Sequence, residues 1–227
     1  MSQVYDKSQL LKNIYSIYNQ LTNNWKLACR KGCSDCCTDR ILMTSLEGML
    51  INEYLKTNKL QESLQLIHRI PLEKRYHPKT TINQEAILAL QNKPIPEPEE
   101  VPLKSCIFLT KKQCSIYPVR PMACRTMVSS LSCHKTGHAS MTSFQMSVAT
   151  LFYQFVEMLD TNGFYGNYLN ILEMLTLSPE TQSLQLILIK SSLLKNQRIH
   201  QVMMPPEHQE KLIPIMDTIQ YIFKMKA

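Results

Sequence analysis

The sequence predicts an all-α fold, a single helical domain over residues 1–227 in which two irregular cysteine-rich segments converge on a metal site. Three observations carry this reading. Apolar residues recur at spacings of three and four along several stretches. Helix-opening signals precede two of them. No convincing hairpin and no internal repeat can be written. With 44% apolar and 19% charged residues, the chain can bury a real core.

The elements follow in order. Leu10, Ile14, Tyr18, Leu21 and Trp25 form a stripe that predicts a helix over 5–28 and carries Cys29 toward the interior. Thr44-Ser45-Leu46-Glu47 fits a capping box, opening a helix that buries Leu46, Met49, Leu50 and Tyr54. Leu60, Leu64 and Ile67 suggest a short helix ending before Pro71. Thr81-Ile82-Asn83-Gln84 fits a second capping box, for a helix to about Gln91. Prolines 94, 96, 98 and 102 forbid helix and central strand, so 93–102 reads as a linker or surface loop. Residues 103–138 read as irregular, with a short helix near 119–130. Phe144, Val148, Leu151, Phe155 and Met158 make a stripe ending at Asn162-Gly163. Ser178-Pro179-Glu180 is a helix-start signal. Leu212, Ile215, Met216, Ile219 and Phe223 define a last helix over 207–225, with Pro214 expected to kink it.

Composition excludes several classes. Only 5 glycines occur, and neither GxGxxG nor GxxxxGK[ST] is present, which argues against dinucleotide-binding folds and P-loops. No GxSxG, no HExxH and no paired-carboxylate pattern appears, so no catalytic residue is identified. The N-terminus lacks the pattern of a signal peptide, and no window of 18 apolar residues predicts a membrane span. The expected location is the cytoplasm, where thiols stay reduced and cysteines point to metal rather than disulfides. The net charge of +7 is mild, and no aromatic RNA-binding signature accompanies it, which argues against a nucleic-acid partner. The 13 methionines lie mostly on helical stripes and read as core.

The 8 cysteines fall into two groups of four. Cys29, Cys33, Cys36 and Cys37 form a C-x3-C-x2-CC run, and Gly32 permits a bend just before Cys33. Turn or helix, this spacing converges three sulfurs. Cys106, Cys114, Cys124 and Cys133 are more widely spaced, and their weight comes from their surroundings. From Val101 to Val156 there is no Asp or Glu, whereas Lys104, Lys111, Lys112, Arg120, Arg125 and Lys135 are present. A four-thiolate zinc or cubane centre carries a charge of about −2, which such cations would balance. Arg120 and Arg125 flank Cys124 and are candidates to hydrogen-bond its sulfur or to hold a substrate acid. His134 and His138 are weaker candidates and read as polar loop residues.

These segments identify a resemblance. The C-x3-C-x2-CC run followed by the Thr44 to Glu47 helix opening is one hallmark. The other is the block of Cys106, Phe108, Leu109, Cys114, Ile116, Tyr117, Arg120, Pro121, Cys124 and Arg125. Both resemble the CxxCxxCC, or YkgJ-type, cysteine cluster family of zinc- or iron-chelating domains. The motif segments are 29–47 and 104–134, and the helical C-terminal part, 139–227, carries no family motif. The flagellin lysine N-methylases look like distant relatives, which implies an iron–sulfur cluster in at least one branch and S-adenosylmethionine as methyl donor.

The resemblance makes all eight cysteines candidate metal ligands, and Tyr117, Arg120 and Arg125 candidate cofactor-binding residues. Only Cys33 and Cys36 form a clean CxxC pair of the kind zinc favours, so a [4Fe–4S] cluster is preferred, with zinc as the alternative. Three functions stand open: a metal-binding protein with a structural or redox-active centre, a cluster-dependent methyl- or group-transfer enzyme acting on a protein substrate, and a metal chaperone or sensor.

Overall fold

The computed structural model describes residues 7–30, 32–177 and 184–224. The start signal at Ser178-Pro179-Glu180 lies outside the described residues. Among them 54% are helical and 7% are in strands, and the strands form two sheets. The fold is therefore mixed α/β and helix-rich, not all-α.

Helix α1 (Lys7–Thr22) buries Leu10, Leu11, Ile14, Tyr15 and Tyr18. It stops at Thr22, whose hydroxyl donates to the Tyr18 carbonyl. The two asparagines that follow are poor helix formers. The helix expected to run to Ala28 is six residues too long, and Cys29 is exposed rather than carried inward. Strand β1 (Leu42–Thr44) leads into α2 (Ser45–Thr57). The capping box that opens α2 is complete in both directions between Thr44 and Glu47. Met49, expected inside, is 51% exposed, because α2 turns Leu46, Leu50, Ile51 and Leu55 inward instead. Gly48 lets α2 approach α7 (Tyr168–Thr176) closely: a Cβ there would meet Ile171 Cγ2 at 2.5 Å.

A 3-10 helix (Gln61–Arg69) precedes α3 (Ile82–Leu90), which Thr81 caps by accepting the Gln84 N–H. The stretch 93–102 has no regular structure and lies on the surface, where Arg40 donates to the carbonyls of Glu99 and Val101. Strands β2 (Leu109–Thr110) and β3 (Gln113–Cys114) form a hairpin that the sequence reading missed. Its turn is Lys111-Lys112, both at positive φ (48° and 61°), without the Asn or Gly that signals such turns. Two short helices follow, α4 (Met122–Thr126) and α5 (Cys133–Thr136).

Helix α6 (Ser143–Leu159) carries a capping box of its own between Thr142 and Gln145. Strand β4 (Phe164–Asn167) pairs antiparallel with β1, Met43 opposite Gly166, and with β5 (Leu194–Lys195), which follows α8 (Leu184–Ser191). These strands of two to four residues are too short to show a period in sequence. Helix α9 (Gln209–Lys224) runs through Pro214.

Two hydrophobic cores result. One joins α1, α4, α6 and α9 through Leu11, Ile14, Met122, Phe152, Leu212 and Ile219. The other joins α2, α7 and the second cysteine segment through Ile51, Leu55, Phe108, Ile116, Tyr168 and Leu172. Among the described residues no helix is long and apolar enough to cross a membrane.

Candidate metal centre

The two cysteine groups meet through backbone. The Cys106 N–H donates to the Cys37 carbonyl at 3.1 Å, Thr38 bridges to Ser105, and the Asp39 N–H donates to the Lys104 carbonyl at 2.9 Å. Asp39 returns the bond by accepting the Lys104 N–H on its carboxylate. The first group is anchored at its start too, where the Ala28 N–H donates to the Ser129 carbonyl at 2.8 Å. Gly32, at φ +86°, makes the bend before Cys33.

Seven of the cysteines surround one cavity of about 850 Å³: Cys29, Cys33, Cys36 and Cys37 from the first group, Cys106, Cys114 and Cys124 from the second. Cys133 does not line it. The thiols differ in depth. Cys29, Cys33 and Cys36 are exposed, Cys37, Cys114, Cys124 and Cys133 are half-buried, and Cys106 is buried; all eight are free. Among the described residues no three His, Cys, Asp or Glu side chains close on a single point. The thiols ring the cavity rather than converge at its centre. His134 and His138 are exposed and do not line it.

The electrostatics of the thiols follow from this placement. Burial pushes the Cys124, Cys106 and Cys114 thiols above their ordinary values, and partial burial does the same to Cys29. The adjacent pair splits: the interaction of the two neighbouring thiols raises Cys36 and lowers Cys37. Most of these sulfurs therefore keep their protons in the bare protein. A soft cation would displace them, so metal uptake must release protons. As a donor set the thiols fit zinc or iron and disfavour hard oxygen-seeking ions.

The support beneath Cys124 is built from residues of three helices. Cys124 sits on α4, whose first amide, Met122 N–H, donates to Glu47 Oε1 at 2.7 Å. Glu47 also accepts from the Tyr15 hydroxyl at 2.9 Å and from the Thr44 amide at 2.9 Å. Burial raises the Glu47 carboxyl above its ordinary value against the pull of these donors. The Arg125 guanidinium stacks 4.0 Å from the Tyr15 ring centre and donates to the carbonyls of Pro118 (2.7 Å) and Arg120 (2.9 Å) and to the Asn19 side chain. Arg125 thus clamps the loop that presents Arg120. Arg120 lies 4.1 Å over the Tyr117 ring centre, and Tyr117 itself is 58% exposed.

Sequence reasoning found Glu47 only as a helix cap; its reach to Met122 has no local signal. It also missed the aromatic wall, formed by Tyr18, Phe108, Tyr153, Tyr165 and Tyr168. Tyr168 fixes the second cysteine segment by accepting the Ile107 N–H at 3.1 Å.

Comparison with known families is specific at this site. The family model described as "CxxCxxCC: Putative zinc- or iron-chelating domain" matches residues 28–146, just over half of the chain. No curated protein and no solved structure matches the chain.

Proposed function

Because the chain belongs to the CxxCxxCC family of zinc- or iron-chelating domains, we propose that its cavity holds a polynuclear iron–sulfur cluster, [4Fe–4S] in type. The observation that carries this reading is the ring of seven thiols around about 850 Å³. A structural zinc site gathers four thiolates about 2.3 Å from one ion and leaves no comparable void. A cluster needs thiolates further apart, each on its own iron. Cys37, Cys106, Cys114 and Cys124 are the deeper ligand candidates, and Cys29, Cys33 and Cys36 complete the ring. The lining contains Arg30, Arg40, Lys112, Arg120 and Arg125 and no Asp or Glu, which suits an anionic centre. Eight free thiols suit a reducing compartment, and we read the cytoplasm as the location.

A second reading, cluster-dependent group transfer, draws on the same cavity. Its size is that of small-molecule sites, about 300–1,000 Å³. Its aromatic wall would accommodate a donor such as S-adenosylmethionine beside the thiols.

Anaerobic purification, an absorption spectrum and elemental analysis test the cluster. A broad visible band with iron and acid-labile sulfide is expected. A colourless protein with stoichiometric zinc overturns the cluster and leaves a zinc domain.

A further inference from the structure

We propose that Arg120 is the receptor for a small-molecule oxyanion, a carboxylate or a phosphate, bound in the thiol-lined cavity. The proposal rests on reading that cavity as the metal site.

Arg120 lines the cavity, and its buried Nε has no hydrogen-bond partner. Its guanidinium donates to no protein atom among the described residues, an unusual state for a half-buried arginine. The other guanidiniums of the wall are differently placed. Arg125 is committed to the carbonyls of Pro118 and Arg120. Arg40 is committed to those of Glu99 and Val101 and lies over Tyr76. Arg30 is exposed.

The orientation of Arg120 is built in. The Tyr117–Val119 turn and Pro121 fix the backbone on both sides, Arg125 holds the Arg120 carbonyl, and the Tyr117 ring covers one face of the guanidinium. What remains is its edge. The terminal nitrogens, Nη1 and Nη2, are not shut away as Nε is, and they offer two parallel N–H groups, which a carboxylate or phosphate meets with two oxygens and a single sulfur does not. No carboxylate of the protein lines the cavity to satisfy it.

The test is calorimetric titration of the anaerobically purified protein with oxalate, succinate and inorganic phosphate, with metal and sulfide per chain measured in parallel. Wild type, Arg120→Lys and Lys135→Ala are compared; Lys135 is exposed and away from the cavity. One probe should saturate at one site per chain. Arg120→Lys should weaken it by at least about tenfold at unchanged metal content, because the ammonium keeps the charge and loses the forked donors. Lys135→Ala should bind as wild type does. A carboxylate or phosphate as the saturating probe assigns the ligand to that source. Saturation by no probe, equal binding in Arg120→Lys, or loss of metal together with binding overturns the proposal. A wild type that binds the probe but holds no metal overturns the metal reading and leaves the oxyanion site standing.

Discussion

Oε1 of Glu47 accepts the Met122 amide at 2.7 Å, so one carboxylate serves both halves of the cysteine site. Its other oxygen closes the α2 capping box just after the first cysteine group. The Met122 amide begins the helix that carries Cys124.

Replacing Glu47 by Ala should therefore destabilise the chain and loosen the metal. It leaves the Tyr15 hydroxyl and the amides of Met122 and Thr44 without their acceptor in a buried place. The expected cost is about 3 kcal/mol, from orphaned donors that each cost about 1–3 kcal/mol. Urea denaturation with metal analysis measures both effects. An unchanged midpoint with full metal content would show that the carboxylate is dispensable.

Half of that connection is legible in the sequence. Thr44 and Glu47 announce the cap because a capping box is local, three residues long, and chemically restricted. The bond to Met122 is not legible, since it depends on how α2 and α4 meet. The same division runs through the fold. The long apolar stripes of α1, α6 and α9 are visible because burial repeats every turn. The end of α1 is not: Leu21 and Trp25 extend its pattern, but the chain leaves the helix at Thr22 and packs Trp25 edge-on against Tyr18 from irregular backbone. The cysteine spacing identifies the metal segments, but the depth of each thiol is set by tertiary packing, with Cys106 buried and Cys29, Cys33 and Cys36 exposed.

Depth and placement rank the cysteines. Cys124 lines the cavity from α4, whereas Cys133, outside the cavity lining, starts α5. Cys124→Ser should lower bound metal and stability together, since metal-binding free energy is folding free energy. Cys133→Ser should keep most of the metal. Metal per chain and thermal midpoints of the two variants decide it; the reverse ranking would place the centre toward α5.

Arg125 predicts a different phenotype from Arg120. Its guanidinium holds the 118–120 loop through two carbonyls and covers Tyr15. Lys cannot make this forked set. Arg125→Lys should destabilise by about 2 kcal/mol, in the range for breaking a buried hydrogen-bond network. Equal stability of the variant and wild type in urea would remove the clamp from the account.

The pH dependence follows from Asp160, which joins α2 to the end of α6. Its Oδ2 accepts from the Ser45 hydroxyl at 2.6 Å, the Leu46 amide at 3.0 Å and the Asn196 side chain at 2.9 Å. Burial holds its carboxyl above the ordinary 3.8. The folded chain then binds this proton more tightly than the unfolded chain does. The resulting stabilisation is full below the unfolded value and is lost as pH rises through the folded one. The advantage of wild type over Asp160→Asn should shrink as pH rises above the ordinary carboxylate value of 3.8, as chemical denaturation at fixed metal content would show. An advantage that grows with pH would mean that the donors outweigh burial and the carboxyl ionises readily.

The hairpin carrying Cys114 yields the last prediction. Leu109 pairs with Cys114 across a two-residue turn, Lys111-Lys112, and both lysines have positive φ. Left-handed backbone costs an L-residue about 1–2 kcal/mol, and glycine avoids this. Glycine in turn loosens the unfolded chain, which offsets about 0.4–1 kcal/mol. Lys112→Gly should therefore stabilise by about 0.8 kcal/mol, the difference of the two terms. The paired change Lys111→Asn with Lys112→Gly should gain more, because Asn-Gly is the favoured sequence for such a turn. The register that sets Cys114 against Leu109 stays as it is, so any fall in metal content would report the lost Lys112 charge in the cavity lining. Denaturation midpoints and metal per chain read the two effects separately. A lower midpoint in the paired variant would mean that the lysine side chains, and not the turn backbone, hold the hairpin.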